Sequence, residues 1–252
     1  DMKPYRDEMV ITSKAGYDMW DGPYGSWGSR KSIIASADQS LTRLGLDYVD
    51  IFYSHRPDPE TPAEETALAL DQLVREGKTL YVGISNYNGA QTTEIAKIFK
   101  KLGTPFIIHQ PRYSMFDRHI ERDLLPVLKQ EEKSAVVYSP LAQGLLTDRY
   151  LNGIPADSRA AKSSSPFLKV GQVEKTLNSV KQLNKIAIGR GQTLAEMALA
   201  WDLRQPEIAS VLVGASRPEQ LVDNIKSLSR LDFSDADQKA IEAILDEHER
   251  ND

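Results

Sequence analysis

The chain of 252 residues carries 31 lysines and arginines against 36 aspartates and glutamates, a net charge of −5, and contains no cysteine. That length suits one large domain or two small ones, and 40% hydrophobic with 27% charged residues excludes a disordered or fibrous chain. The missing cysteines exclude disulfides, thiolate metal sites and cysteine nucleophiles, and an acidic balance without a dense basic tract argues against a nucleic-acid partner. No apolar run approaches the roughly 20 residues of a membrane helix, and the start Asp1-Met2-Lys3-Pro4 has no signal-peptide core. A soluble, cytoplasmic protein without a membrane partner is expected. The histidines, at 55, 109, 119 and 248, are not spaced as metal ligands, so no metal is expected.

The first strand-like run is Met9-Val10-Ile11-Thr12-Ser13, and Lys14 follows it. Gly16 to Gly28 then packs four glycines with the aromatics Tyr17, Trp20, Tyr24 and Trp27, a composition suited to a moving loop that closes over a small substrate. Beyond it Arg30 and Lys31, at a helix start, can receive a substrate phosphate or stand as solvated surface charge. The second run, Val49 to Tyr53, ends in Ser54-His55 before Arg56-Pro57. A helix follows from Thr61-Pro62, with Leu68, Leu70 and Leu73-Val74 on its buried side and Gly77 at its stop. Three more runs end at Ser85-Asn86, Gln110 and Ser139, after Leu80 to Ile84, Phe106 to His109 and Ala135 to Tyr138. A polar loop over 152–170, a helix over 173–189 and a helix over 193–204 come next, the last opening on a Thr193/Glu196 capping box. The sixth run, Ser210 to Val213, ends at Gly214, and a closing helix starts at Ser234.

These runs are β-branched and nearly continuous, as parallel strands buried on both faces are, and they alternate with helices. The pattern predicts a parallel α/β fold with right-handed crossovers, and no composition shift marks a domain boundary. Six βα units are too few for a (β/α)8 barrel. A doubly wound sheet tolerates six, but Ser13-Lys14-Ala15-Gly16 is not the glycine-rich turn such a sheet carries after its first strand.

Polar residues stand at the same end of every run: Lys14, His55, Ser85, Asn86, Gln110, Ser139 and Gly214. In a parallel barrel those ends converge on the substrate face. Strands that simply stop on reaching water would explain any one of them, but six together favour a site. A neutral His55 can donate to a carbonyl oxygen, and Lys14 would place an ammonium at the same mouth. His109 reads as a satisfied core histidine, and His119 and His248 as solvated helix positions. Gly214-Ala215-Ser216-Arg217-Pro218 leads from a strand into a helix amino terminus, which suits a phosphate and equally suits a well-capped surface helix. Tyr138 before Ser139-Pro140-Leu141-Ala142-Gln143-Gly144 can stack a planar ring, and Arg149 and Arg159 can reach a pyrophosphate or remain solvated.

In this order the blocks resemble the aldo-keto reductase superfamily over essentially the whole chain. The carrying motifs are Thr12 to Gly16, Asp47 to His55, Val82 to Tyr87, His109-Gln110-Pro111, Ser139 to Gly144 and Gly214 to Gln220. The loop from Gly16 to Arg30 and Tyr53-Ser54-His55-Arg56 look like those of bacterial glyceraldehyde-3-phosphate reductases, and potassium-channel beta subunits share the cofactor blocks. The resemblance implies a (β/α)8 TIM barrel, one domain over 1–252, that holds NADPH/NADP+ and reduces small aldehydes by hydride transfer. The alternative is a nucleotide-sensing binding subunit with little turnover. It implies Lys14 and His55 as catalytic residues, and Trp20, Tyr24 and Trp27 as the substrate loop. It implies Ser85, Asn86 and Gln110 for the carboxamide and Tyr138 for the nicotinamide ring. Ser139, Leu141, Gln143, Gly144, Arg149 and Arg159 fall on the pyrophosphate side. Gly214, Ser216, Arg217, Gln220 and Asn224 take the adenosine and 2′-phosphate. The family's catalytic aspartate and tyrosine lie in its first two βα units, which are expected to be absent from this chain; Tyr17, Tyr24 and Tyr53 do not sit in that tyrosine's context. A small aldehyde is the expected partner, with a homo-oligomer left open.

Overall fold

Parallel β-structure emerges where the apolar runs are. In a computed structural model that describes residues 3–156, 158, 160–161 and 168–251, the elements in chain order are β1 (Thr12–Ala15), α1 (Arg30–Leu44), β2 (Val49–Ser54), α2 (Ala63–Arg75), β3 (Thr79–Ser85), α3 (Gly89–Leu102), β4 (Phe106–Gln110), α4 (Ile120–Gln130), β5 (Ser134–Tyr138), α5 (Val170–Gly189), α6 (Leu194–Asp202), β6 (Ile208–Leu212), α7 (Pro218–Lys226) and α8 (Asp235–Asn251). The six strands lie in one sheet in chain order, every registered pair from β1 to β5 is parallel, and the sheet is not closed. The chain falls into two compact units, Asp1–Pro111 with Ile120–Ala135, and Arg112–His119 with Val136–Asp252.

In the first unit, helix ends are set by local capping chemistry. Ser29 caps α1 by accepting from Ser32 N, and Gly45 ends it in the left-handed region at φ 65°. Asn88 and Gln91 form a reciprocal capping box on α3, which places that helix three residues after β3. The core between sheet and helices is Ile33, Leu41, Phe52, Leu70, Leu73, Val82, Ile84, Ile95, Phe99 and Phe106, with the Phe99 and Phe106 rings 5.3 Å apart. Leu68, expected on the buried side of α2, is 39% exposed, because the helical phase turns Thr66, Ala67, Leu70 and Leu73 inward instead.

The first strand is shifted from its expected place. Val10 is 71% exposed, and Ile11 gives its N–H to the Asp50 carboxylate at 2.7 Å. The ladder therefore begins at Thr12, opposite Ile51, and Lys14 is the third residue of β1, opposite Tyr53, not a residue beyond the strand. Gly83 in β3 makes room for the Tyr53 ring: a Cβ there would strike it. Gly83→Ala is expected to cost about 1–3 kcal/mol by forcing that ring aside, read as a lower urea midpoint at unchanged m.

In the second unit, the Thr193/Glu196 box caps α6 as expected, and Ser234 Oγ accepts from Asp237 N at 3.1 Å at the start of α8. α5 begins three residues earlier than the pattern indicated, at Val170. The α6 residues Leu194, Met197, Ala198, Leu199 and Trp201 are buried, and Trp201 stacks on Tyr113 at 5.3 Å. The buried Arg190 is fully engaged, pairing with Asp237 at 2.9 Å, bonding Gln192 and Asp232 O, and lying over Phe233 at 3.8 Å. His248 corrects the expectation of a solvated position: it is 7% exposed and packs on Phe116 at 4.3 Å. His119 is exposed one residue before α4 and pairs with Asp117. β6 exposes Ala209, Ser210 and Leu212, as a strand at the edge of the open sheet.

Candidate active site

Parallel pairing in register brings the carboxyl ends of β1 to β4 into one row, and hydrogen bonds lace that row together. His55 N donates to Ala15 O at 2.8 Å, and His55 O accepts from Asn86 Nδ2 at 2.9 Å. The same Asn86 amide reaches Ser85 Oγ at 3.1 Å, and Ser85 Oγ donates to Gln110 O at 2.6 Å. Lys14, His55, Ser85, Asn86 and Gln110 are thus brought together in the first unit. Ser85 and Gln110 are buried, whereas Asn86 is exposed and held in the left-handed region at φ 60°. His109 lies apart from this row, buried, with Nε2 3.0 Å from Tyr87 O.

The electrostatics of the row are set by burial and positive charge. His55 is pushed down to about 4, by burial first and then by the Lys14 and Arg56 charges, so its imidazole is neutral at physiological pH. Burial also lowers the Lys14 ammonium, whose Nζ lies 5.5 Å from the Tyr53 ring centroid. Among the described residues Lys14 forms no ion pair. Burial raises both Tyr53 and Tyr87 to about 12, which keeps them neutral phenols. His55 takes up its proton near pH 4 in the native state and near 6.5 when unfolded. Between those values the unfolded chain binds more protons, so this residue makes stability rise with pH from about 4 to 6.5. His55→Gln is expected to flatten that part of a denaturation-midpoint series; an unchanged slope would contradict the neutral assignment.

The Gly16–Gly28 loop is folded on itself. Met19 N donates to Gly25 O at 2.8 Å, and a Cβ at Gly25 would strike the Trp20 carbonyl. Tyr24 lies under Lys31 Nζ at 4.7 Å, and Arg30 pairs with Gln72 while its backbone N donates to Glu65 at 2.9 Å. Arg30 and Lys31 are therefore engaged surface charges. Trp27 stacks on Arg56, and Tyr17 meets the His55 ring edge-on at 4.6 Å. Tyr17 reads from the sequence as a loop aromatic and Arg56 as the end of the Tyr53–Arg56 motif, but neither has a role of its own there; their contact with each other, and that of Tyr17 with His55, depends on the fold.

In the second unit, Tyr138 ends β5 half-buried, and its carbonyl accepts from Tyr113 N at 3.3 Å. Ser139, Ala142, Gln143 and Gly144 all have positive φ, at 59°, 45°, 60° and 97°, and Gln143 Nε2 donates to Ser139 Oγ at 3.2 Å. Leu141 O closes the turn by accepting from Gly144 N at 2.8 Å. Arg149 is exposed on the short 3-10 turn that follows, and Arg159 lies outside the described residues. After β6, the exposed Gly214 leads to Ser216, whose N and Oγ both donate to Gln220 Oε1, at 2.8 and 3.1 Å. Arg217 is the N-cap residue of α7 and is exposed, and Asn224 lies further along the same helix. The non-glycine residues of positive φ among the described residues are Trp27, Asn86, Glu132, Ser139, Ala142 and Gln143. All but Glu132 fall in these candidate segments, and left-handed backbone at non-glycine residues persists where the surroundings enforce it, often at functional sites.

The family model for the aldo/keto reductase family matches residues 1–246. The chain belongs to the aldo/keto reductase family. This reductase is 48% identical to the L-glyceraldehyde 3-phosphate reductase of Escherichia coli K12, over all of this chain and 74% of that protein. It is 38% identical to a putative voltage-gated potassium channel subunit beta of Schizosaccharomyces pombe, over 90% of this chain and 68% of that one. A thermostable aldo-keto reductase crystallised with the inhibitor epalrestat superposes with a TM-score of 0.72 at 27% identity, covering 96% of this chain and 74% of that one. The fold is therefore of the TIM-barrel type, with six strands among the described residues, and the protein is an oxidoreductase acting on aldehydes. Among the described residues no helix is long and apolar enough to cross a membrane, and no cluster of three or more His, Asp or Glu could hold a metal.

Proposed function

We propose that the protein is an NADPH-dependent reductase of small aldehydes, one barrel domain over 1–252 working in the cytoplasm, with glyceraldehyde 3-phosphate or methylglyoxal-like compounds as substrates. The observation that carries this reading is the laced row of strand ends, which sets a neutral imidazole and a half-buried ammonium side by side. In each unit by itself the donor chemistry suits part of a dinucleotide: the Asn86 amide on the exposed tip of β3 in the first, and the Arg217 guanidinium with the Ser216 hydroxyl before α7 in the second. Ser85, Asn86 and Gln110 are assigned to the carboxamide, Tyr138 to the nicotinamide ring, and Ser139, Leu141, Gln143, Gly144, Arg149 and Arg159 to the pyrophosphate side. Gly214, Ser216, Arg217, Gln220 and Asn224 are assigned to the adenosine and its 2′-phosphate.

When bound, the dihydronicotinamide supplies the hydride. His55, uncharged at working pH, donates a ring N–H to the aldehyde oxygen and orients it. Lys14 favours the negative charge that grows on that oxygen and lowers the pKa of an acid placed beside it. Tyr53 is not assigned as that acid, since it is buried, at 2% exposed. The 48% identity to an L-glyceraldehyde 3-phosphate reductase supports the phosphorylated triose as a substrate. Following NADPH oxidation across an aldehyde panel tests the reading. Turnover with either compound supports it, and tight NADPH binding without turnover of any aldehyde would replace it with a nucleotide-sensing subunit.

A further inference from the structure

Arg56, directly after His55, packs against two aromatic rings. Its Cζ lies 4.1 Å from the Tyr17 ring centroid and 3.5 Å from that of Trp27. In the guanidinium plane, Nε donates to Gly16 O at 2.9 Å and Nη2 to Ser26 Oγ at 3.4 Å. Gly16 O also accepts from Trp27 N at 3.2 Å and Ser26 Oγ at 3.3 Å, so one carbonyl gathers both ends of the loop onto the arginine. Farther on, Asp58 accepts from Gly28 N at 3.0 Å and Thr66 Oγ1 donates to Gly28 O at 2.8 Å. Trp27 sits at φ 68°, a conformation a bulky residue adopts only under external constraint. A Cβ on Gly16 would come within 3.0 Å of His55 Cβ, so the loop begins hard against the histidine. With two rings against it and acceptors on its edge, this guanidinium is tied to the loop. Only a planar fork can stack twice and donate sideways at once; an ammonium cannot.

We propose that Arg56 is a positioning residue of the aldehyde site: it pins the Gly16–Gly28 loop so that Tyr17 stands edge-on to His55 and Trp27 is fixed beside it, giving the substrate a preset wall. A pinned loop differs from one that moves to close over its substrate, and the proposal rests on the aldehyde-reductase reading above. The role acts through Tyr17 and Trp27, so it is read in substrate fit and loop order and not in cofactor affinity.

The test uses the full-length protein, with methylglyoxal and glyceraldehyde 3-phosphate as probes. Arg56→Ala is expected to raise KM for both by about tenfold, with NADPH Kd within about twofold of wild type. Without substrate, the same variant is expected to expose the loop to proteolysis between residues 16 and 28 and to change tryptophan emission. Arg56→Lys keeps the charge but not the fork and is expected to remain defective. Ser26→Ala, which removes one of the arginine's bonds and the serine's own bond to Gly16 O, is expected to show a smaller effect of the same kind and serves if Arg56→Ala does not fold. Wild-type KM and loop protection in Arg56→Ala, or full recovery in Arg56→Lys, would overturn the proposal. An inactive wild-type protein would instead remove the reductase reading, while cleavage and emission would still report on the pin.

Discussion

Lys14→Met is expected to remove aldehyde reduction, lowering kcat by about a thousandfold, while NADPH Kd stays within about twofold of wild type. Methionine has the length and flexibility to fill the lysine's path beside the Tyr53 ring, so packing is kept and the charge alone is deleted. The ammonium is half-buried in the third position of β1 and forms no ion pair among the described residues, so its field is not cancelled locally. Its influence is already visible on its neighbour, because Lys14 is one of the charges that hold His55 down near 4. A second readout follows from that coupling. In Lys14→Met the His55 pKa is expected to rise toward its ordinary value, seen as a shifted imidazole titration by NMR. Retained turnover would refute the catalytic assignment, and an unmoved His55 titration would refute the electrostatic coupling.

The parallel architecture and the row of strand ends were legible because both depend on local pattern: apolar runs end where polar tips begin, and parallel register does the rest. Helix starts were legible for the same reason, as at Thr193 and Ser234, where the capping partners are three residues apart. What escaped the sequence depends on distant partners. Met9-Val10-Ile11 has the composition of a strand, but its place is decided by Asp50, which takes the Ile11 N–H and also pairs with Arg6 at 2.9 Å. The glycine-rich loop shows its glycines and aromatics in sequence, but not that Arg56 Nε, forty positions along the chain, donates to Gly16 O. His248 lies on the polar-looking end of α8 and is buried by Phe116, a ring that no helical periodicity could place there. The strained turn at Ser139–Gly144 was likewise invisible as strain, since serine, alanine and glutamine do not advertise positive φ.

Arg217→Glu is expected to raise NADPH Kd by about a hundredfold while changing NADH Kd by no more than about threefold. The two cofactors differ by one phosphate, so a group that recognises that phosphate must separate them. The proposed role suits Arg217, which is the exposed N-cap residue of α7, where the helix dipole favours an anion. Reversing the charge removes the attraction and adds repulsion, while leaving the fold intact, because an acidic side chain at a helix amino terminus is itself favourable. Salt supplies an independent check on the same interaction. The proposed reading predicts a wild-type preference for NADPH over NADH that shrinks as ionic strength rises, since an exposed charge pair is screened within about 10 Å at 0.1 M. In Arg217→Glu that salt dependence should vanish or reverse. Equal losses for both cofactors would mean that Arg217 contacts a part they share, and the preference for the phosphorylated dinucleotide would then need another residue.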